Sequence, residues 1–260
     1  EKLSFNVGPL INSKGRLDHP EVALKLLICD DNKEARELYH QLEICNSERK
    51  FIQKEVFEEA REQVINNMKH GEPLICIVYA PHFHEGVIGI VASKLVETFK
   101  VPAIVFSDSE QEGVIKASAR SAGSLNMFNL LEANKDLFIK FGGHKAAAGF
   151  SMPKENLEQF KENMNNALRE IPEIERTVIK LYDLEIEPEE IGPTLVKSLD
   201  MLEPFGMGNE KPVFKLRGGY LKSYDLLKDV HVRWTFSSLK NSKINLKGIS
   251  FNHIGKYGHL

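Results

Sequence analysis

Four short stretches carry residue types that can grip a phosphate. In Phe141-Gly142-Gly143-His144-Lys145-Ala146-Ala147-Ala148-Gly149, paired glycines let the backbone approach a ligand, and His144 can donate a hydrogen bond to a phosphate or base. The plain alternative is a Gly-rich turn with a surface histidine. In His84-Glu85-Gly86-Val87-Ile88-Gly89-Ile90-Val91-Ala92-Ser93, a polar pair opens an apolar helix, where free N–H groups favour an anion; simple capping by His84 or Glu85 reads equally well. On a strand, Lys116, Ser118 and Arg120 of Lys116-Ala117-Ser118-Ala119-Arg120-Ser121 share one face at a spacing of about 7 Å, a row suited to phosphate or an ordinary polar face. Asn12-Ser13-Lys14-Gly15-Arg16-Leu17 reads as a loop that could offer Arg16 in the same way.

Metal chemistry finds little support. His82 with His84, and Asp18 with His19, form pairs without an acidic cluster around them, and a two-metal phosphodiester centre needs several Asp and His ligands. No metal ligand is therefore expected, and no Ser/His/Asp order or P-loop stands out. Three widely spaced cysteines, Cys29, Cys45 and Cys76, fit reduced thiols rather than a zinc site.

The elements that must position these residues fall into two groups. Residues 20–70 read as helix, rich in Ala, Leu, Glu, Lys and Arg after Pro20. Leu74 to Tyr79 is an apolar run expected of a buried strand, Val87 to Phe99 a closely packing helix narrowed by Gly89, Ala92 and Ser93, and Pro102 to Phe106 the next strand. Val114 to Arg120 (strand), Met127 to Phe138 (helix) and Ala146 to Met152 (strand) follow. Ser151 and Pro153 are expected to cap an amphipathic helix marked by Leu157, Phe160, Met164 and Leu168. The polar segment Ile171 to Arg176 reads as a linker. Beyond it come five strand candidates, Val178 to Ile186, Val213 to Leu216, Tyr220 to Tyr224, Val230 to Ser237 and Ile244 to Phe251, with a short helix near Thr194 to Met201, a pattern that fits a small OB-like barrel. Trp234 and Phe236 share a strand face with Val232 and are expected to be buried.

With 260 residues, 42% hydrophobic and 27% charged, the chain is long enough for one large or two modest domains. It has no apolar run of membrane-spanning length and no signal-peptide start, so a cytoplasmic protein is expected. A formal charge of -3 gives no global attraction for nucleic acid, so any polyanion site must be local. The first residue is not Met and the last residues follow a strand-like run; both ends read as cut.

Together these stretches resemble the bacterial RecJ exonucleases of the DHH phosphoesterase superfamily, in order and over nearly the whole chain. Phe83 to Ser93 is similar to that family's Trp-His-x-Gly-Val-Ile-Gly-Ile-Val-Ala-Ser signature, with Phe83 in place of Trp, and Gly142-Gly143-His144 with Ala147-Ala148-Gly149 is similar to its Gly-Gly-His motif. Gly8-Pro9, Asn12 and Gly15-Arg16-Leu17-Asp18 resemble the exit from the DHH domain, and Leu202-Glu203-Pro204-Phe205-Gly206 with Gly208-Asn209 resembles the approach to the OB-fold.

The resemblance implies an architecture of 1–19 as the end of the DHH catalytic domain, 20–70 as a helical connector, 71–170 as an α/β DHH-associated domain with a mixed sheet, and 177–260 as an incomplete, all-β OB-like barrel. It implies part of a single-stranded-DNA-specific 5′-to-3′ exonuclease of recombination and repair, using Mn2+ or Mg2+ on ligands in a DHH domain that would precede Glu1, so that this chain alone would be inactive. By the same resemblance Arg16, Ser118 and Arg120 would hold a 5′-phosphate, Gly142, Gly143 and His144 would lie beside the scissile phosphate, and His84 would touch DNA or brace its loop. Phe214, Tyr220, Tyr224, Trp234 and Phe236 are candidates for base stacking. The partners implied are single-stranded DNA, a single-strand binding protein and a recombination helicase. Two other readings share the motifs: a DHH-family phosphodiesterase of short oligonucleotides or cyclic dinucleotides, disfavoured by the OB-like segment, and a non-catalytic nucleic-acid binding module.

Overall fold

The computed structural model describes residues 7–17, 20–68, 71–179 and 181–254, and the chain divides into two compact units, Glu1–Val178 and Ile179–Leu260. The first unit begins with three helices, α1 (Gly8–Leu17), α2 (Glu21–Ile28) and α3 (Asn32–Asn67). The segment around Arg16 is thus helical rather than a loop. Gly8 and Gly15 weaken its intrinsic helicity, but tertiary packing decides: Leu17 packs against the core, and the buried Ser13 hydroxyl is satisfied by donating to the Leu10 carbonyl at 2.6 Å. The helical stretch expected over 20–70 is two helices, because the Asp31 carboxylate accepts from the backbone N–H groups of Lys33 and Glu34 at 2.9 and 2.8 Å and starts α3 afresh.

A five-stranded mixed sheet follows, built from β1 (Cys76–Tyr79), β2 (Ala103–Asp108), β3 (Val114–Arg120), β4 (Lys140–Gly143) and β5 (Ala147–Pro153) in the order β1-β2-β3-β5-β4. Only β1 and β2 are parallel, joined by α4 (Glu85–Phe99). One face buries Ile104, Phe106, Ile115, Ala117, Phe150 and Met152 beneath α5 (Met127–Glu132) and α6 (Leu157–Arg169), whose Phe160, Met164 and Leu168 recur at helical spacing. On the other face α4 lays Val87, Val91 and Leu95 over Cys76, Val78, Ala103 and Val105, and Val56, Ala60 and Val64 of α3 pack behind it. Burial pushes the Cys76 thiol up to about 12, which leaves it inert.

Several local expectations differ from the structure. The helix expected over Met127 to Phe138 ends at Glu132 and resumes only as a 3-10 turn, Lys135–Leu137; the buried Asn134 side chain donates to the Leu130 carbonyl at 3.4 Å and accepts from Asn163 at 2.9 Å, interactions that compete with helix continuation. Ser151 is not a cap: it pairs within β5, and a 3-10 turn, Lys154–Asn156, leads into α6. The expected linker holds a short helix, α7 (Glu173–Arg176), docked where Ser124 N–H donates to the Glu175 carbonyl.

The second unit contains β6 (Leu184–Ile186) and β7 (Phe214–Leu216), paired in parallel, α8 (Pro193–Asp200), and an antiparallel sheet of β8 (Gly219–Leu227), β9 (His231–Ser238) and β10 (Asn245–Ser250), an OB-like module. The strand expected over Val178 to Ile186 is only its last three residues. Val232 is buried as its strand face requires, but Trp234 and Phe236 are only half-buried; Trp234 faces Gly248 on one side of the ladder and gains no side chain there.

Candidate nucleic-acid interface

The sheet's pairing explains how a cleft arises on one half of one face. In β3, Ile115, Ala117 and Ala119 point into the α5–α6 core, so Lys116, Ser118 and Arg120 must point the opposite way. Their cross-strand partners on β5 are Ser151, Gly149 and Ala147, and the partners of Ser151 and Gly149 on β4 are Lys140 and Gly142. Helix α4 covers β1 and β2 on this face, leaving the β3–β5–β4 half paved by small residues. The result is a cleft of about 630 Å³ lined by Arg16, Glu85, Gly89, Lys116, Ser118, Arg120, Lys140, Gly142 and Gly149 among others.

Arg120 is the best-positioned cation. Its Nη1 donates to Ser118 Oγ at 2.9 Å and to the Ala119 carbonyl at 2.9 Å, which fixes the guanidinium plane while leaving it without a carboxylate partner among the described residues. Burial, and next the positive charge of Arg16, pull its pKa below the ordinary arginine value. Such a site is electrostatically incomplete, and an anion would relieve both costs. Gly89 of α4 is what makes room: a Cβ there would stand 2.8 Å from Arg120 Nη2 and 3.0 Å from Ser118 Oγ.

Arg16 arrives from α1. Its backbone lies so close to α4 that a Cβ on Gly86 would be 1.8 Å from the Arg16 carbonyl oxygen, and its Nη1 donates back to the Gly86 carbonyl at 3.3 Å. Sequence reasoning also missed Arg49 of α3, which feels the charge of Arg16 but lines a separate depression and not the cleft. Arg49 is held by the amide oxygens of Asn46, at 3.0 Å, and Gln53, at 2.8 Å; burial and then the charge of Arg16 lower its pKa. Its signal was the helical spacing of Asn46, Arg49 and Gln53. Lys140 and the ion pair between Lys116 and Glu85 were missed as well, although the period-two pattern of β4 and β5 would have placed Lys140 opposite Ser151.

The structure brings Arg16, Ser118, Arg120 and Gly142 together on the cleft. The other expected site residues lie outside the cleft lining. His84 caps α4, its Nδ1 accepting from the Gly86 N–H at 3.1 Å, and it faces a separate depression lined by Lys14, Leu17, Cys45 and Ile52. Gly143 ends β4, where a Cβ would meet Ala148 at 2.5 Å, so the Gly142-Gly143 pair is strand rather than turn. His144 opens the turn, exposed, with its N–H donating to the Ala147 carbonyl at 2.8 Å; it stands at the same end of β5 as Arg120's partner Ala147 but does not line the cleft. Asp18 and His19 lie outside the described residues. Among the described residues no three His, Cys, Asp or Glu side chains converge as a metal site would require, so this cleft does not fit a catalytic metal centre by itself.

Comparisons with known proteins agree with this architecture. Residues 73–170 match the DHHA1 domain, and residues 182–259 match the RecJ OB domain. The single-stranded-DNA-specific exonuclease RecJ of Bacillus subtilis (strain 168) is 31% identical over 255 residues, 97% of this chain and 32% of that protein. The RecJ of Escherichia coli (strain K12) is 32% identical over 220 residues, 82% of this chain and 38% of that protein. The crystal structure of RecJ in complex with Mg2+ from Thermus thermophilus superimposes with a TM-score of 0.77 at 27% identity, covering 96% of this chain and 37% of that one. The chain thus spans about a third of the length of these relatives. It carries a DHHA1 domain followed by a RecJ OB domain, and over nearly its whole length it is similar in sequence and fold to the RecJ exonucleases.

Proposed function

We propose that this chain is the strand-gripping part of a single-stranded-DNA-specific 5′-to-3′ exonuclease of DNA recombination and repair, and that the cleft on β3 holds the 5′-terminal phosphate. The observation that carries the reading is the convergence of Arg16, Ser118 and Arg120 on a cleft floored by glycine, with no carboxylate paired to either guanidinium among the described residues. The Arg120 fork offers parallel N–H donors to two phosphate oxygens, the Ser118 hydroxyl can turn to donate a third hydrogen bond, and Arg16 adds charge from the opposite wall. A 5′-terminal phosphate would satisfy all three donors together, which accords with entry from the 5′ end.

In this reading Gly142 and Gly143 let the sugar-phosphate chain lie against the sheet, His144 stands beside the scissile phosphate, and His84 acts through the shape of the α4 start. Hydrolysis belongs to a divalent-metal centre whose ligands lie outside the described residues; the RecJ structures from Thermus thermophilus were determined with Mg2+ and with Mn2+. The described residues position the strand and by themselves leave it uncut. In the second unit, exposed Tyr220 and Tyr224 and half-buried Phe214, Trp234 and Phe236 are candidates to stack bases irrespective of sequence. A single-strand binding protein and a recombination helicase would meet the enzyme on the same strand.

Fluorescence anisotropy with 5′-phosphate and 5′-hydroxyl oligonucleotides tests the assignment. Wild type is expected to prefer the phosphorylated end and Arg120→Ala to lose that preference, a change of roughly 10-fold or more for one charge-assisted contact of about 1.5–3 kcal/mol. Salt-sensitive binding that ignores both the 5′ end and Arg120 would leave a generic strand-binding module.

A further inference from the structure

The cleft has a second polar end. Lys116 of β3, Ser151 of β5 and Lys140 of β4 are consecutive partners across the sheet, leave it on the same face, and all line the cleft. Lys116 stands four residues from Arg120, which separates the two ends by about 13–14 Å at the usual rise of a strand. Between them the floor is the cross-strand pair Gly142 and Gly149, and a Cβ on Gly142 would meet nothing within 4 Å. Nothing inside this unit requires glycine at Gly142, whereas a chain lying on the floor would.

The charges at this end are unequal. Lys116 is paired with Glu85 at the start of α4, while Lys140 is exposed and makes no ion pair among the described residues. We propose that Lys140, Ser151 and Lys116 form a second phosphate subsite, which holds an internal phosphodiester of the strand whose 5′-terminal phosphate sits at Arg16, Ser118 and Arg120, and that Glu85 limits its strength by neutralising Lys116. This rests on the end-gripping reading of the cleft. A lone 5′-mononucleotide carries only the terminal phosphate and cannot occupy both ends, whereas a strand presents further phosphates along the glycine floor. Each cation that neutralises a phosphate releases counterions, so the two ends differ in what they respond to: the Arg120 end reads the terminus, the Lys140 end reads chain length and salt.

The test measures binding of 5′-phosphorylated oligothymidylate over a range of salt, with competition by thymidine 5′-monophosphate, in the presence of a chelator. Wild type, Lys140→Ala, Glu85→Gln and Arg120→Ala are compared. Lys140→Ala is expected to reduce the slope of log affinity against log salt by about 0.7 for the oligonucleotide, with the monophosphate affinity and the 5′-phosphate preference unchanged. Glu85→Gln is expected to increase that slope by about 0.7, because Lys116 is released. The proposal is overturned if either variant leaves the slope unchanged, or if Lys140→Ala weakens the monophosphate as much as the strand. A wild-type protein without 5′-phosphate preference, or an Arg120→Ala variant that keeps it, would instead refute the end-gripping reading beneath it. Both Lys140 and Glu85 are exposed, and thermal melts read by circular dichroism establish that each variant is folded.

Discussion

At the scale of single residues, the cleft depends as much on side chains that are missing as on those present. Gly89 leaves open the volume that Arg120 and Ser118 fill. Gly89→Ala is therefore expected to push the guanidinium off Ser118 and reduce the 5′-phosphate preference several-fold, while thermal stability changes little because Ala favours the helix by about 1 kcal/mol over Gly. Paired anisotropy and melting measurements separate the two effects; a Gly89→Ala protein with full end preference would show that Arg120 needs no such space. The lysine and arginine row of β3 was legible from its period-two spacing, and Gly89 from the narrow side it gives α4. Arg49 was not, since its relation to Arg16 depends on how two helices pack and not on any local pattern. His84 illustrates the opposite limit: its type suits a ligand contact, yet a histidine at the first turn of a helix can equally spend its acceptor on a backbone N–H, and only the three-dimensional register reveals that it does so here.

At the scale of elements, β1, β2, β3, β5 and the buried face of α6 followed from strand-like runs and helical spacing, because burial dictates both, whereas β4, half of it the glycine pair, was not foreseen as a strand. Helix α1 did not. Its two glycines and proline argue locally for a loop, and the contact that overrides them lies 70 residues away in the chain, where Gly86 lets the Arg16 backbone sit against α4. The break between α2 and α3 was visible only in hindsight as an Asp before a run of helix formers. That cap carries a prediction: Asp31→Ala leaves the Lys33 and Glu34 N–H groups without their acceptor and is expected to cost about 1 kcal/mol, read as a lower unfolding midpoint in denaturant with an unchanged slope. Asp31→Asn, which keeps an acceptor oxygen, should recover most of the loss.

At the scale of the whole molecule, the two units differ sharply in how much apolar surface they enclose. The first has two clusters of buried side chains on either side of its sheet, whereas the buried apolar residues described in the second are Ile186, Pro188 and Val232. Stability scales with such burial, at roughly 1.5–3 kcal/mol for each large aliphatic or aromatic side chain, so the second unit should melt first. The chain's single tryptophan, Trp234, lies in that unit and reports on it alone. Its fluorescence is expected to change at a lower temperature than the main far-ultraviolet circular dichroism transition, and coincident transitions would mean that the units unfold as one. The OB-like class of this unit was legible from its short strands; the partial exposure of Trp234 was not, because strand alternation tells which face a side chain takes and not what covers that face.

The seat of Arg16 on Gly86 has a thermodynamic corollary. A terminal phosphate held by Arg16 on one side and by Ser118 and Arg120 on the other bridges segments that are remote in sequence, so it binds only the state in which α1 is docked. By linkage, ligand at a hundredfold excess over its dissociation constant adds about 2.7 kcal/mol to that docking. The strand end would then act as a reversible clasp on the first helix, tightening the protein around the substrate it has just recognised and releasing it when the terminal nucleotide leaves.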